Sequence, residues 1–228
     1  MKKILLLIVL FSANLFCQNP DPNKLIDAVK DNFKSSVKDY EVTANIKVDV
    51  DFVKVPEMQA HIYFKQPDKV KMNTEGFAML PKQAFNFSPE KMFSRNSSAI
   101  YVRTEKWDNT PIDVIRVIPN EDNSDIALST FWIEPGRKVI RKIESTPKRG
   151  GAFQAELYYD EKINYPLPTM IRFSFDSPRV NAPREMSSND KTNNGSSKPS
   201  KGTVTVKYSD YRINKGISDA VFTEGKKK

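Results

Sequence analysis

The chain has 228 residues, 36 Lys and Arg against 28 Asp and Glu, and a formal net charge of +8, with one cysteine and one histidine. A lone cysteine, Cys17, excludes an internal disulfide and a cysteine-built metal site, and a lone histidine leaves any Ser-His-Asp or His-metal centre to a single imidazole. Much of the basic surplus lies at the two ends (Lys2, Lys3 and Lys226, Lys227, Lys228), so it favours anionic headgroups slightly and makes no nucleic-acid footprint.

Residues 1–17 read as a secretory signal peptide. Lys2 and Lys3 precede an apolar run from Ile4 to Phe11 that is too short to span a bilayer, and polar Gln18 and Asn19 follow. Cleavage is expected after Cys17. A bacterial lipoprotein would keep and lipidate that cysteine, but the residue before it is normally small and here it is Phe16. A lipid anchor on Cys17 is therefore not expected. Residues 18–228 then form a single domain, long enough to bury a sizeable core. No second apolar segment approaches membrane-spanning length.

Asp21-Pro22 opens a short helix, with an acidic N-cap and proline at the first helical position. Leu25, Ile26, Val29 and Phe33 make one apolar stripe up to about Val37. A long strand follows. Val42, Ala44, Ile46, Val48, Val50 and Phe52 fall on alternate positions and share one face, while Thr43, Asn45, Lys47, Asp49 and Asp51 share the other. After a break at Val55-Pro56, Met58, Ala60, Ile62 and Phe64 repeat the pattern. Pro67 closes that run, and Val70 and Met72 begin a third. The stretch Asp39–Met72 predicts an antiparallel meander with one apolar and one wet face, and the apolar face must be covered.

The next segment, Gly76 to Arg95, carries Phe77, Met79, Leu80, Phe85, Phe87, Met92 and Phe93 without clean alternation. It suits a Met- and Phe-rich flap over the apolar face, and equally an ordinary buried loop. Ser88-Pro89-Glu90 is expected to start a helical turn. Strands resume at 99–105, 112–118, 126–134, 138–145, 152–160, 170–176 and 203–213. Turns are marked by Pro135-Gly136 and Lys148-Arg149-Gly150-Gly151. Residues 177–201, rich in Ser, Asn, Pro and Lys, predict a flexible insertion between neighbouring strands, and 223–228 form a basic tail.

Little of this chain points to catalysis. His61 alternates onto the wet face beside Tyr63, as a surface histidine would. No GxSxG, P-loop or GxGxxG motif occurs. The Glu121–Asp125 loop lacks the glycine and terminal glutamate of a calcium-binding hand. Trp107 and Trp132 read as core anchors. Neither a metal nor a cofactor is expected, and the protein is not expected to be an enzyme.

Several stretches resemble the LolA/LolB-like outer-membrane lipoprotein carriers. A short helix leads to a long first strand, then to Phe64-Lys65-Gln66-Pro67 and Asp68-Lys69-Val70-Lys71-Met72. Phe131-Trp132-Ile133-Glu134-Pro135 is similar to the family's central hairpin, and Asp210–Phe222 to its C-terminal end. The resemblance implies a mainly β (α+β) fold, a half-open, strongly curved antiparallel β-barrel. An N-terminal helix and a short helical or loop lid would cover its apolar concave face. It further implies a periplasmic, monomeric carrier of lipid or lipoprotein acyl chains, with an inner-membrane transporter as donor and an outer-membrane acceptor. On that reading Ile46, Val48, Val50, Ile62, Phe64 and Met72 line the cavity. Phe77, Met79, Leu80, Phe85 and Phe87 form the lid. The alternative is a non-enzymatic sensor or protein-interaction module on the same fold, its apolar face filled by its own side chains. One departure stands out: Gln66 occupies the position before the proline where the family carries a lid-latching arginine, and Gln cannot make the same charge-assisted bonds.

Overall fold

In the computed structural model, residues 19–50, 53–54, 56–74, 88–93, 96–122, 124–148, 151–177 and 200–223 are described. The expected signal peptide with Cys17, the five expected lid residues Phe77, Met79, Leu80, Phe85 and Phe87, most of the insertion and the basic tail's last residues lie outside them.

Helix α1 (Pro22–Ser36) starts where the sequence predicts, with the Asp21 carboxylate accepting from Asn23 N at 2.9 Å. Strands β1 (Asp39–Val50), β2 (Val53–Lys54), β3 (Met58–Lys65) and β4 (Lys69–Thr74) follow. The helical turn α2 (Pro89–Met92) precedes β5 (Ser97–Trp107), β6 (Thr110–Pro119), β7 (Ile126–Glu134) and β8 (Val139–Pro147). Then come β9 (Phe153–Tyr158), β10 (Met170–Ser177), β11 (Ser200–Ile213) and a terminal turn α3 (Ala220–Thr223).

All strands join one antiparallel sheet in the order β4-β3-β1-β11-β10-β9-β8-β7-β6-β5, with β2 folded back on β1. The meander over Asp39–Met72 is thus one flank of a larger sheet. Its first strand pairs with β3 on one side and with the last strand, β11, on the other (Ile46 opposite Met58 and Val206). The sheet does not close, and β4 and β5 are its two edges. The chain between them, with α2 in it, therefore joins one edge of the half-barrel to the other. Register breaks in β1–β11, β5–β6 and β7–β8 place bulges around the sheet. Bulges bend strands and increase twist, which is how a ten-strand path curls into a half-open barrel.

The alternation that the sequence carries decides which face is which. Val42, Ala44 and Ile46 are buried, whereas Asn45, Lys47 and Asp49 are exposed. Helix α1 lays Ile26, Val29 and Phe33 onto the same concave face, giving one core with Ile62, Phe64, Ile115, Phe131, Ile133, Leu157, Ile171 and Val206. A second, smaller cluster lies on the opposite face, where Trp132 packs with Ile112 and Val114 against Val102 and Trp107. Both tryptophans anchor apolar clusters as expected, but on the convex side.

Candidate functional site

The concave face has two unlike ends. At the first, α1 is fastened from two directions. Gln66 Nε2 donates to the carbonyls of Lys34, at 2.8 Å, and Val37, which the end of a helix leaves without intrahelical partners. Asn32 Nδ2 donates to Arg137 O, at 3.0 Å, and Lys138 O in the β7–β8 turn. Gln66 stands where the resemblance placed a latching arginine, and here it caps the helix.

The chain's C-terminal segment is tied to the same end. The buried Asp39 carboxylate accepts from Lys215 N at 2.9 Å and from Gly216 N at 3.1 Å. Gly216 has φ +80°, a left-handed conformation that glycine adopts without strain. Asn214 Oδ1 accepts from Lys38 N at 2.7 Å, and its Nδ2 donates to Ser36 O at 2.8 Å. Farther out, Asp219 bridges Lys65 at 2.7 Å and Lys69 at 2.9 Å. Hydrogen bonds from those two ammonium groups hold the Asp219 carboxyl down at about 2.

Beneath α1 the face is filled. The Phe33 ring meets Phe64 edge-on at 5.6 Å, and Tyr40 stacks on Phe64 at 5.1 Å. Phe64 is 0 % exposed and Ile62 and Ile46 are each 1 % exposed. Of the six expected lining residues these three are therefore enclosed. Val48 and Met72 are half-buried and pack against the core from its margin. Val50 ends β1, and its side chain lies outside the described residues.

The second end lies farther along the same face. One row across the sheet runs from Val48 through Val204 and Phe173 to Ala155. The next runs through Phe175 and Phe153 to Ser145 and Ser129, whose hydroxyls meet at 2.7 Å. Val48, Val204, Phe173 and Phe175 are half-buried, and Phe153 is 38 % exposed. Exposed phenylalanine on the inner face of a curved sheet is an apolar surface open to an apolar occupant. Of these, Phe153, Phe173 and Phe175 are the residues that strand alternation alone does not single out. Their alternate spacing in β9 and β10 was visible, but nothing local says which part of the face stays uncovered.

A groove of about 600 Å³ opens where α1, the β3–β4 turn and α2 meet. Phe33, Phe93 and Pro67 contribute apolar walls, and Lys34, Lys91, Asp68 and Glu90 supply two charges of each sign. That volume suits a small-ligand cleft, for which roughly 300–1,000 Å³ is usual.

His61 lies exposed on the convex face, with Thr43 Oγ1 3.4 Å from its Nδ1. Among the described residues no group of three or more His, Cys, Asp or Glu is placed to hold a metal ion. No helix among them is long and apolar enough to cross a membrane. On the convex face Trp132 Nε1 donates to Glu105 at 2.8 Å, Arg141 pairs with Glu134 at 2.8 Å and lies over the Trp107 ring, and Lys142 lies over Trp132. Arg141 Nε is buried without a hydrogen-bond partner among the described residues.

No protein-family model matches the chain, and no curated protein matches it. Solved structures do match. A DUF1329 family protein from Desulfovibrio piger superposes with a TM-score of 0.60 at 14% identity, over 89% of this chain and 98% of that one. A putative outer membrane lipoprotein-sorting protein domain from Vibrio parahaemolyticus gives 0.58 at 10% identity, over 90% and 98%. A LolA superfamily protein from Nitrosomonas europaea gives 0.53 at 10% identity, again over 90% and 98%. At such identities the likeness is one of architecture, and it runs over nearly the whole of each chain. The architecture that superposes on them is this protein's curved, unclosed antiparallel sheet with a helix across its concave face, and this protein has the LolA-like fold.

Proposed function

We propose that this protein is a periplasmic carrier that binds the acyl chains of a lipid or lipoprotein on the open end of its concave face and passes them toward the outer membrane. The observation that carries the reading is the row of half-buried and exposed apolar side chains, Val48, Val204, Phe173, Phe175 and Phe153, on the inner face of an unclosed sheet. Acyl chains have the right chemistry to cover it, each buried methylene contributing about 0.8 kcal/mol. Val48 and Met72 contribute to the lining, and Phe77, Met79, Leu80, Phe85 and Phe87 are the lid residues of this proposal. In this role the protein acts as a monomer without cofactor or catalysis, taking cargo from an inner-membrane transporter and giving it to an outer-membrane acceptor.

A second reading has support at the covered end, where Phe64, Ile62 and Ile46 are enclosed by the protein's own side chains. On that reading the fold serves as a sensor or protein-interaction module.

Native mass spectrometry with lipid extraction separates the two. The secreted protein, purified without detergent, is expected to carry phospholipid or acylated peptide at near-unit occupancy. Phe173→Lys places a charge on the open row, and it should abolish the bound lipid while the far-UV circular dichroism stays unchanged. A wild-type protein that stays apo after incubation with phospholipid and acylated peptide would overturn the carrier reading and favour the interaction module.

A further inference from the structure

Tyr159, Tyr208 and Tyr211 are partly buried and pack against the main core, on the covered side of the concave face. Two have ordinary partners: Tyr211 Oη donates to Pro168 O at 2.8 Å and Tyr159 Oη to Ile140 O at 2.9 Å. Buried hydroxyls nearly always find such carbonyls. Tyr208 does not. Its hydroxyl is shut from solvent without a hydrogen-bond partner among the described residues, although the residue as a whole is only half-buried.

Its place in the sheet accounts for this. Tyr208 lies opposite Ala44 on β1, and Ala44 lies opposite Ala60 on β3, so its row offers no side-chain acceptor on that side. The Tyr211 ring, 6.1 Å away, already directs its hydroxyl to Pro168. Along β11 the same face continues through buried Val206 to half-buried Val204, the start of the open row. Burial raises the Tyr208 hydroxyl above an ordinary phenol, and nearby Tyr40 raises it further. It therefore keeps its proton and acts as a donor.

We infer that the Tyr208 hydroxyl donates a hydrogen bond to the neutral carbonyl of an acyl ester or amide whose chain lies on the open row, an inference that rests on the acyl-carrier reading above. A methylene chain has no acceptor to offer. A carboxylate would have to leave water for a single donor in apolar surroundings, which is unfavourable. An ester or amide carbonyl needs one good bond and is attached directly to its chain. Tyr208 thus selects acylated ligands over bare hydrocarbon and over free fatty acid.

The test is competition of methyl palmitate and of octadecane against a fluorescent phospholipid, using the secreted protein. Wild type should prefer the ester by roughly tenfold. Tyr208→Phe should erase that preference and leave octadecane binding unchanged. Tyr211→Phe, which loses its bond to Pro168, should lower the urea midpoint and keep the preference. Tyr208→Phe removes a hydroxyl that bonds nothing among the described residues, so its own midpoint should equal or exceed that of wild type. A lower midpoint, or an ester preference intact in Tyr208→Phe, overturns the assignment and leaves the carrier reading standing. Equal binding of both probes by wild type does the same. Failure of wild type to bind either probe overturns the carrier reading itself.

Discussion

The two ends of the concave face are built from the same strands and the same alternation, yet they differ in what covers them. On β1, Val42, Ala44 and Ile46 lie at most 3 % exposed under or beside α1, while Val48, next on the same face, is half-buried. On β11, Val206 is fully buried and Val204 half-buried. The change comes within two residues on each strand. It does not follow from side-chain type, since valine occurs on both sides of it. Helix α1, fastened by Gln66 and Asn32, lies over the first of these ends. One end of the face is therefore closed core, and the other is a partly exposed margin of it.

If that contrast is right, truncations at the two ends should cost different amounts. Phe64→Ala should lower stability by about 3–5 kcal/mol, because it leaves a cavity beneath Phe33 and Tyr40. Phe173→Ala, at a half-buried site, should cost only about 1–2 kcal/mol. Urea denaturation of both variants measures the difference, and equal losses would mean that the second end is as closed as the first. Asp39→Ala sharpens the account of the covered end, since it removes the acceptor of the Lys215 and Gly216 amides. It should cost about 2 kcal/mol and speed hydrogen exchange at those two amides, leaving the open row unchanged.

The smallest effect is expected at Asp219. Its folded-state carboxyl is lowered from 3.8 to about 2 by hydrogen bonds from Lys65 and Lys69. A depressed carboxyl contributes stability above its ordinary value and loses it as pH falls through about 2. Asp219→Asn should therefore shift the urea midpoint slightly at about pH 6 and not at all once the wild-type carboxyl is protonated. The site is exposed, so salt should shrink the difference. A gap that persists at the lowest pH would mean that Asp219 acts through something other than its charge.

Much of the fold was legible beforehand because strand and helix periods are local. Asp21-Pro22 followed by Leu25, Ile26, Val29 and Phe33 specifies both the start and the buried face of α1. The strand expected over 126–134 forms with those bounds, and the others differ by up to three residues at an end. Ser88-Pro89 does begin a helical turn. Less was legible at the site. Ile46, Val48, Ile62, Phe64 and Met72 all show the alternation of a one-sided sheet, but alternation says only which face a residue shares.

The sequence by itself determined the class of structure: one amphipathic helix and strands whose two faces differ in polarity. It also determined the polarity of each face, because a period of two is written residue by residue. Tertiary structure alone decided that β1 sits between β3 and β11, and that the Asp39 carboxylate meets Gly216 from the far end of the chain. It alone decided that one end of the face is closed while Phe153 stays exposed and Phe173 half-buried, and that Tyr208 is left beside two alanines without an acceptor among the described residues. Lateral pairing and helix placement depend on contacts between residues far apart in the chain, and no local pattern of side chains encodes them.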